Sequence, residues 1–236
     1  MKIRKNLLLI MLILILSFAM SACGNNDNAA ETASGNGTDA EMPKTEAPDT
    51  ENENILIAYF SVMETDGVDT VAGASRIAAD EELLGNNEYI AQIIQRETGG
   101  TLLAIETVQE YPKTHQALLE MAHGEGAENA RPELAVQIEN LDQYDVIFLG
   151  YPNWNADLPM PLYTFLEEYD FSGKTIIPFT VHGGSGFAGT IETISELQPG
   201  AEVVSDGLSI YRDDAAGAES SVVDWVKGLN LTVEES

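Results

Sequence analysis

Val146-Ile147-Phe148-Leu149-Gly150-Tyr151-Pro152-Asn153-Trp154-Asn155 is the stretch that decides the architecture. Its first residues are apolar without alternation, the pattern of a strand buried on both faces rather than one with a wet side. Proline and asparagine then stop the run and leave a tryptophan beyond its carboxyl end. Other runs have the same character. Ile55-Leu56-Ile57-Ala58-Tyr59-Phe60 ends at Ser61, and Leu102 to Ile105 is a second short strand. Thr175-Ile176-Ile177-Pro178-Phe179 is a fourth in chain order, and Val203 to Ile210 reads as a fifth. Pro178 is a blemish, because it lacks the amide that a central strand donates to its ladder.

Helical spacing fills the gaps. Ile90, Ile93 and Ile94 form an i, i+3, i+4 stripe that runs on to Glu97 and is closed by Gly99-Gly100. Leu162, Phe165, Leu166 and Tyr169 repeat the pattern behind Pro159 and Pro161. Ile191, Ile194 and Leu197 mark another helix, and Val222 to Leu229 the last. Doubly buried strands alternating with helices imply an α/β fold, a parallel sheet with helices on both faces. Ligands of such sheets sit beyond the carboxyl ends of the strands, where the strand order switches.

Three loops lie there. The first starts at Ser61, carries a long insert, and ends at Gly85-Asn86-Asn87. The second is Tyr151-Pro152-Asn153-Trp154-Asn155, and the third is His182-Gly183-Gly184-Ser185-Gly186-Phe187. Tyr111-Pro112, Ala130-Arg131-Pro132-Glu133-Leu134, Tyr144-Asp145 leading into Val146–Pro152, and Tyr169-Asp170-Phe171-Ser172-Gly173-Lys174 accompany them in order. Together these stretches resemble the flavodoxin-like family, particularly its bacterial lipoprotein members, over roughly Ile55 to Trp225. The resemblance implies a doubly wound five-stranded parallel sheet in the order 2-1-3-4-5, and FMN as the cofactor of an electron-transfer protein. It implies that Ser61, Asn86 and Asn87 hold the FMN phosphate at a helix N-terminus. Pro152, Asn153 and Trp154 would form the second wall, with Trp154 against the isoalloxazine ring. His182, Gly183, Gly184, Ser185, Gly186 and Phe187 would approach the ring edge. The chain departs from the usual pattern at Asn87, where a threonine is common, at Asn155, where a second aromatic is common, and in the insert Val62 to Leu84.

Each residue also has a plainer reading. Trp154 fits a rim position, the glycines a tight turn, and Asn86 and Asn87 ordinary helix caps. Tyr111 reads as packing. No residue is needed as a general acid or nucleophile for flavin electron transfer, and an electron carrier and an FMN-dependent oxidoreductase both fit. A flavodoxin fold that has lost its flavin and serves as a binding scaffold is the rival. The order argues against a hydrolase: none of His115, His123 and His182 follows Ser185, and residue 187 is Phe where G-x-S-x-G needs glycine. Gly184 to Gly189 matches G-x-G-x-x-G, but it follows the fourth strand rather than the first.

The chain ahead of this domain is an address. Lys2, Arg4 and Lys5, then the apolar run Leu7 to Met20, then Ser21-Ala22-Cys23 resemble a bacterial lipoprotein signal with cleavage after residue 22. Residues 1–22 are the expected signal peptide, Cys23 the expected lipidation site, and residues 23–54 an acidic tether too poor in large apolar side chains to fold. The domain then spans 55–236, on the extracytoplasmic face of a bacterial cell membrane, touching the membrane through the lipid alone. Acidic residues outnumber basic ones 39 to 11, for a formal net charge of −28. That balance repels nucleic acid and suits FMN plus an unidentified redox partner. A lone cysteine leaves no intrachain disulfide and no cysteine-rich metal site.

Overall fold

The structure is a computed structural model, and it describes residues 54–65, 76–79 and 82–231. The expected signal peptide, Cys23 and the expected tether up to residue 53 lie outside the described residues, as does part of the insert. In chain order the elements are β1 (Ile55–Tyr59), a hairpin of β2 (Arg76–Ala79) and β3 (Glu82–Gly85), α1 (Asn86–Thr98), β4 (Thr101–Ala104) and α2 (His115–Glu128). Then come β5 (Val146–Pro152), α3 (Met160–Glu168), β6 (Thr175–His182), α4 (Thr190–Leu197), β7 (Glu202–Val203), β8 (Leu208–Tyr211) and α5 (Glu219–Gly228). The main sheet is parallel throughout, in the order β4-β1-β5-β6, with β7 and β8 both paired to the far side of β6. With β7 and β8 taken as one interrupted strand, and the hairpin set aside, this is the 2-1-3-4-5 order expected of the sequence.

The period-2 alternation of a strand splits the core into two layers. Leu56, Ala58 and Phe60 of the first strand face one layer, with Leu118, Leu162, Phe165 and Ile194 of α2, α3 and α4. Ile55, Ile57 and Tyr59 face the other, with Ile90, Ile93 and Ile94 of α1 and Val222 and Val226 of α5. The three isoleucines of α1 are fully buried, and burial of such a side chain contributes about 1.5–3 kcal/mol. Gly99 ends α1 at φ 70, donating its amide to Gln95 O at 2.8 Å.

Two expectations need correcting. The fifth strand is not continuous from Val203 to Ile210 but breaks between residues 203 and 208. Pro178 supplies the reason. Ile176 O accepts from Val204 N–H (2.9 Å), so alternate residues of β6 point toward the fifth strand, Pro178 among them. With no amide to offer, Pro178 faces the gap, and Gly207 fills it: a Cβ there would stand 2.3 Å from Pro178 O. The second difference is α2, a helix not expected from the apolar spacing. Gly124 and Gly126 within it dilute the periodic signal, while Leu118 and Ala122 still anchor it to the core.

Among the described residues no helix is long and apolar enough to cross a membrane.

Candidate functional site

The carboxyl ends of β1, β5 and β6 bring the three expected loops together. At the first, Ser61 lies against the start of α1: its Oγ occupies space 2.1 Å from where a Cβ on Gly85 would be. Gly85 precedes the helix in an extended conformation, φ −71 and ψ 152. Its amide donates to Glu88 Oε2 at 3.1 Å, and the opening amides of α1 have no intrahelical acceptor. Asn86 and Asn87 are each 1% exposed. Asn87 Oδ1 accepts from Val181 N–H (3.2 Å), tying α1 to β6. Asn86 Nδ2 and Asn87 Nδ2 have no hydrogen-bond partner.

The second loop is bound to the same place. Asn153 N–H donates to Val181 O (3.3 Å), so both backbone groups of Val181 are engaged, the amide by Asn87 and the carbonyl by Asn153. Asn153 Nδ2 donates to Gly186 O in the third loop (2.9 Å), while its Oδ1 is left without a partner. Pro152 is buried at the end of β5, paired with Val181. Trp154 is buried rather than a rim residue, edge-on to Phe60 at 5.4 Å and to Tyr111 at 5.6 Å, with Nε1 unpartnered. Tyr111 is buried in the same cluster and donates to Glu125 Oε2 at 2.6 Å. Trp154 and Asp157 exchange backbone hydrogen bonds (3.0 and 2.9 Å), and Asn155 and Ala156 between them have φ 54 and 62. Two consecutive positive φ values make this a type I′ turn, and asparagine tolerates that conformation where an aromatic would not.

In the third loop Gly184 N–H donates to His182 Nδ1 at 2.9 Å, which leaves the proton of the neutral ring on Nε2. Burial holds the His182 imidazole below its ordinary range. Gly186 has φ 59, a conformation glycine adopts without a steric cost. Gly184 and Ser185 are exposed, and Gly183 is half-buried. Phe187 packs against the core layer that holds Tyr151 and Trp154, and its Cζ lies 2.9 Å from where a Cβ on Gly207 would be. Thr190 Oγ1 donates to Phe187 O (2.7 Å) and meets the Tyr151 hydroxyl at 2.8 Å, fixing the loop to α4.

Between the second and third loops lies a cavity of about 400 Å³, walled by Asn153, Trp154, Gly183 and Ser185, and by Leu118 and Ala122 of α2. A second cavity, about 640 Å³, opens from Ser61 toward Tyr111, with Glu88, Glu106 and Glu110 and one cation, Lys113, on its walls. Tyr59, at the end of β1, is buried and near carboxylates. Burial, then Glu88, then Glu106 push the Tyr59 hydroxyl up to about 12.

The sequence profile described as Flavodoxin matches residues 104–229, more than half of the chain. The chain belongs to the flavodoxin family. The chain also resembles the crystal structure of a protein from Bacteroides eggerthii assigned to the flavoproteins, with a TM-score of 0.50 and 21% identity over 76% of this chain and 99% of that one. A flavoprotein from Lactobacillus acidophilus, solved in complex with FMN, gives a TM-score of 0.48 and 17% identity over 71% and 99% of the two chains. No curated protein matches the sequence.

The site residues that the sequence reading did not name are on α2 and at Glu88. For α2 a signal existed: Thr114 in front of Leu118, Leu119 and Ala122 is a helix start with an i, i+4 apolar pair. For Glu88 the signal was its place three residues after Gly85, the spacing of a side chain that reaches back to the helix start.

Proposed function

We propose that this flavodoxin-family chain binds FMN across the ends of β1, β5 and β6 and uses it to pass electrons to and from a redox partner. The observation that carries the reading is a set of unmet hydrogen bonds. Among the described residues, the buried side-chain nitrogens without a partner are Asn86 Nδ2, Asn87 Nδ2, Trp154 Nε1 and Trp225 Nε1. The first three stand on two of the expected loops, and Asn153 Oδ1 joins them there. Buried polar atoms are almost always satisfied, and each failure costs about 1–3 kcal/mol. These atoms are closed to solvent where the loops meet at Val181, so a ligand with a polar perimeter satisfies them with a shift of their side chains toward it.

The residues fit FMN. Ser61, the two asparagine amides and the start of α1 supply donors for a phosphate, and the cavity beside Trp154 has an apolar wall from α2 for a flat ring. Bound FMN supplies one- and two-electron redox chemistry, and the chain supplies binding, orientation and the electrostatic setting. His182 presents a neutral Nε2–H on the third loop.

Flavin titration followed by tryptophan emission tests this. In a Trp225→Phe background Trp154 reports alone, so FMN should quench its emission, and Trp154→Ala, followed by the fluorescence of the flavin itself, should weaken binding several-fold, an aromatic pair being worth about 0.5–1.5 kcal/mol. A folded protein that binds no flavin would favour the scaffold instead.

Localisation is part of the same proposal. A diacylglycerol on Cys23, following cleavage of residues 1–22, would hold the domain on the extracytoplasmic face of a bacterial membrane, since two acyl chains make a stable anchor. Cys23→Ser should abolish labelling by a fatty-acid probe; equal labelling of both proteins would overturn it.

A further inference from the structure

The place at which a flavin phosphate would meet α1 already holds an anion. Glu88, three residues into the helix, turns its carboxylate back so that Oε2 accepts the Gly85 amide at 3.1 Å. Ser61 Oγ is packed against the same glycine. The amides at a helix start and the dipole behind them favour negative charge there. One carboxylate answers part of that demand and leaves Asn86 Nδ2 and Asn87 Nδ2 unpartnered on the first turn. The groups facing Glu88 make a second negative charge harder to admit. Tyr59 stands on the β1 side and feels the Glu88 charge. Glu106 and Glu110 share the wall of the larger cavity, and Lys113 is the cation on it.

We propose that Glu88 sets the flavin specificity of the site by charge: its carboxylate is a built-in stand-in for a ligand phosphate, must leave Gly85 when a phosphate arrives, and so weakens selection of FMN over riboflavin. The inference rests on the flavin reading above and goes beyond it by assigning the discrimination to one side chain. Riboflavin has no phosphate to compete for Gly85, so its affinity is independent of Glu88. FMN pays for both the lost Glu88–Gly85 hydrogen bond and the repulsion between two anions.

Glu88→Gln isolates the charge, because glutamine keeps an acceptor for Gly85 and the helix start stays capped. The experiment is a titration of the intact protein, wild type and Glu88→Gln, with FMN and with riboflavin, read by tryptophan fluorescence at one pH and salt concentration. Thermal melts with and without inorganic phosphate accompany it. FMN should bind the variant roughly tenfold more tightly while riboflavin changes by less than about twofold. Inorganic phosphate should raise the melting temperature of the variant more than that of wild type. FMN binding with an unchanged FMN-to-riboflavin ratio would overturn the Glu88 assignment and leave the flavin reading standing. If neither flavin binds either folded protein, the flavin reading and the specificity proposal both fall. The melts then decide only whether Glu88 guards an anion site: greater phosphate stabilisation of the variant supports that part, and equal stabilisation overturns it.

Discussion

Replacing Gly85 with alanine would set a methyl group 2.1 Å from Ser61 Oγ and 3.2 Å from Ser61 Cβ. No packed structure holds carbon and oxygen at the first distance, so the hydroxyl must rotate away; the second distance is tight but can be relieved by a few tenths of an ångström. The backbone does not object, because φ −71 and ψ 152 suit alanine as well as glycine. Alanine also reduces the entropy of the unfolded chain, by about 0.4–1 kcal/mol. Fold stability should therefore change by less than about 1 kcal/mol, the two effects opposing each other. Ligand binding should not escape so lightly. If the Ser61 hydroxyl donates to the FMN phosphate, its loss costs a charge-assisted hydrogen bond, about 1.5–3 kcal/mol, or about 10- to 150-fold in dissociation constant. Ser61→Ala should cause the same loss. The double variant should be no worse than either single one, because with the hydroxyl gone the new methyl has nothing left to displace. The assay is calorimetric or fluorescence titration with FMN, riboflavin serving as the control that loses little, and urea unfolding to follow stability. Losses that add in the double variant would show that Gly85 and Ser61 act independently, and would refute the argument that one exists to make room for the other.

Two further outcomes follow from particular residues. Ala156 has φ 62 in the type I′ turn behind Trp154, a left-handed conformation that costs a non-glycine residue about 1–2 kcal/mol. Ala156→Gly should therefore stabilise the fold by about 0.5–1 kcal/mol after the extra unfolded-chain entropy is deducted, measured as a higher urea midpoint; a lower midpoint would mean the turn is not strained. His182 is held below its ordinary value of 6.5 by burial, so as the pH falls the unfolded chain takes up that proton first. Its contribution to stability is fully present above that pH and is lost as the pH descends through the folded value. His182→Gln should flatten the urea-midpoint profile between about pH 8 and pH 5, and a profile as steep as that of wild type would assign the slope to other groups.

Much of this architecture is local information, and so it was legible in the chain. A short apolar run without alternation, bounded by turn residues, reads as a strand covered on both sides, and Ile90, Ile93 and Ile94 share a face when the segment is a helix. Those signals located β1, β4, β5 and β6, the helices α1, α3, α4 and α5, and therefore the three loops at the strand ends. What the tertiary structure decided is how atoms far apart in sequence divide their hydrogen bonds. Asn87 reads equally as a cap or a phosphate ligand until Val181, 94 residues later, claims its oxygen and leaves the nitrogen open. Phe187 reads as a ring-edge residue in the sequence, and only the packed structure shows its ring lying against Gly207 beside Pro178. The broken fifth strand needed the parity of β6 to show which neighbour would miss the amide of Pro178. Propensity and periodicity are properties of one segment, whereas satisfaction of a buried polar atom depends on which segments meet. The chain alone settles β1, β4, β5 and β6, the helices α1, α3, α4 and α5, and the end of the sheet where a ligand is expected, and only the packed structure settles the broken fifth strand, α2 and which side chains still have a bond to give.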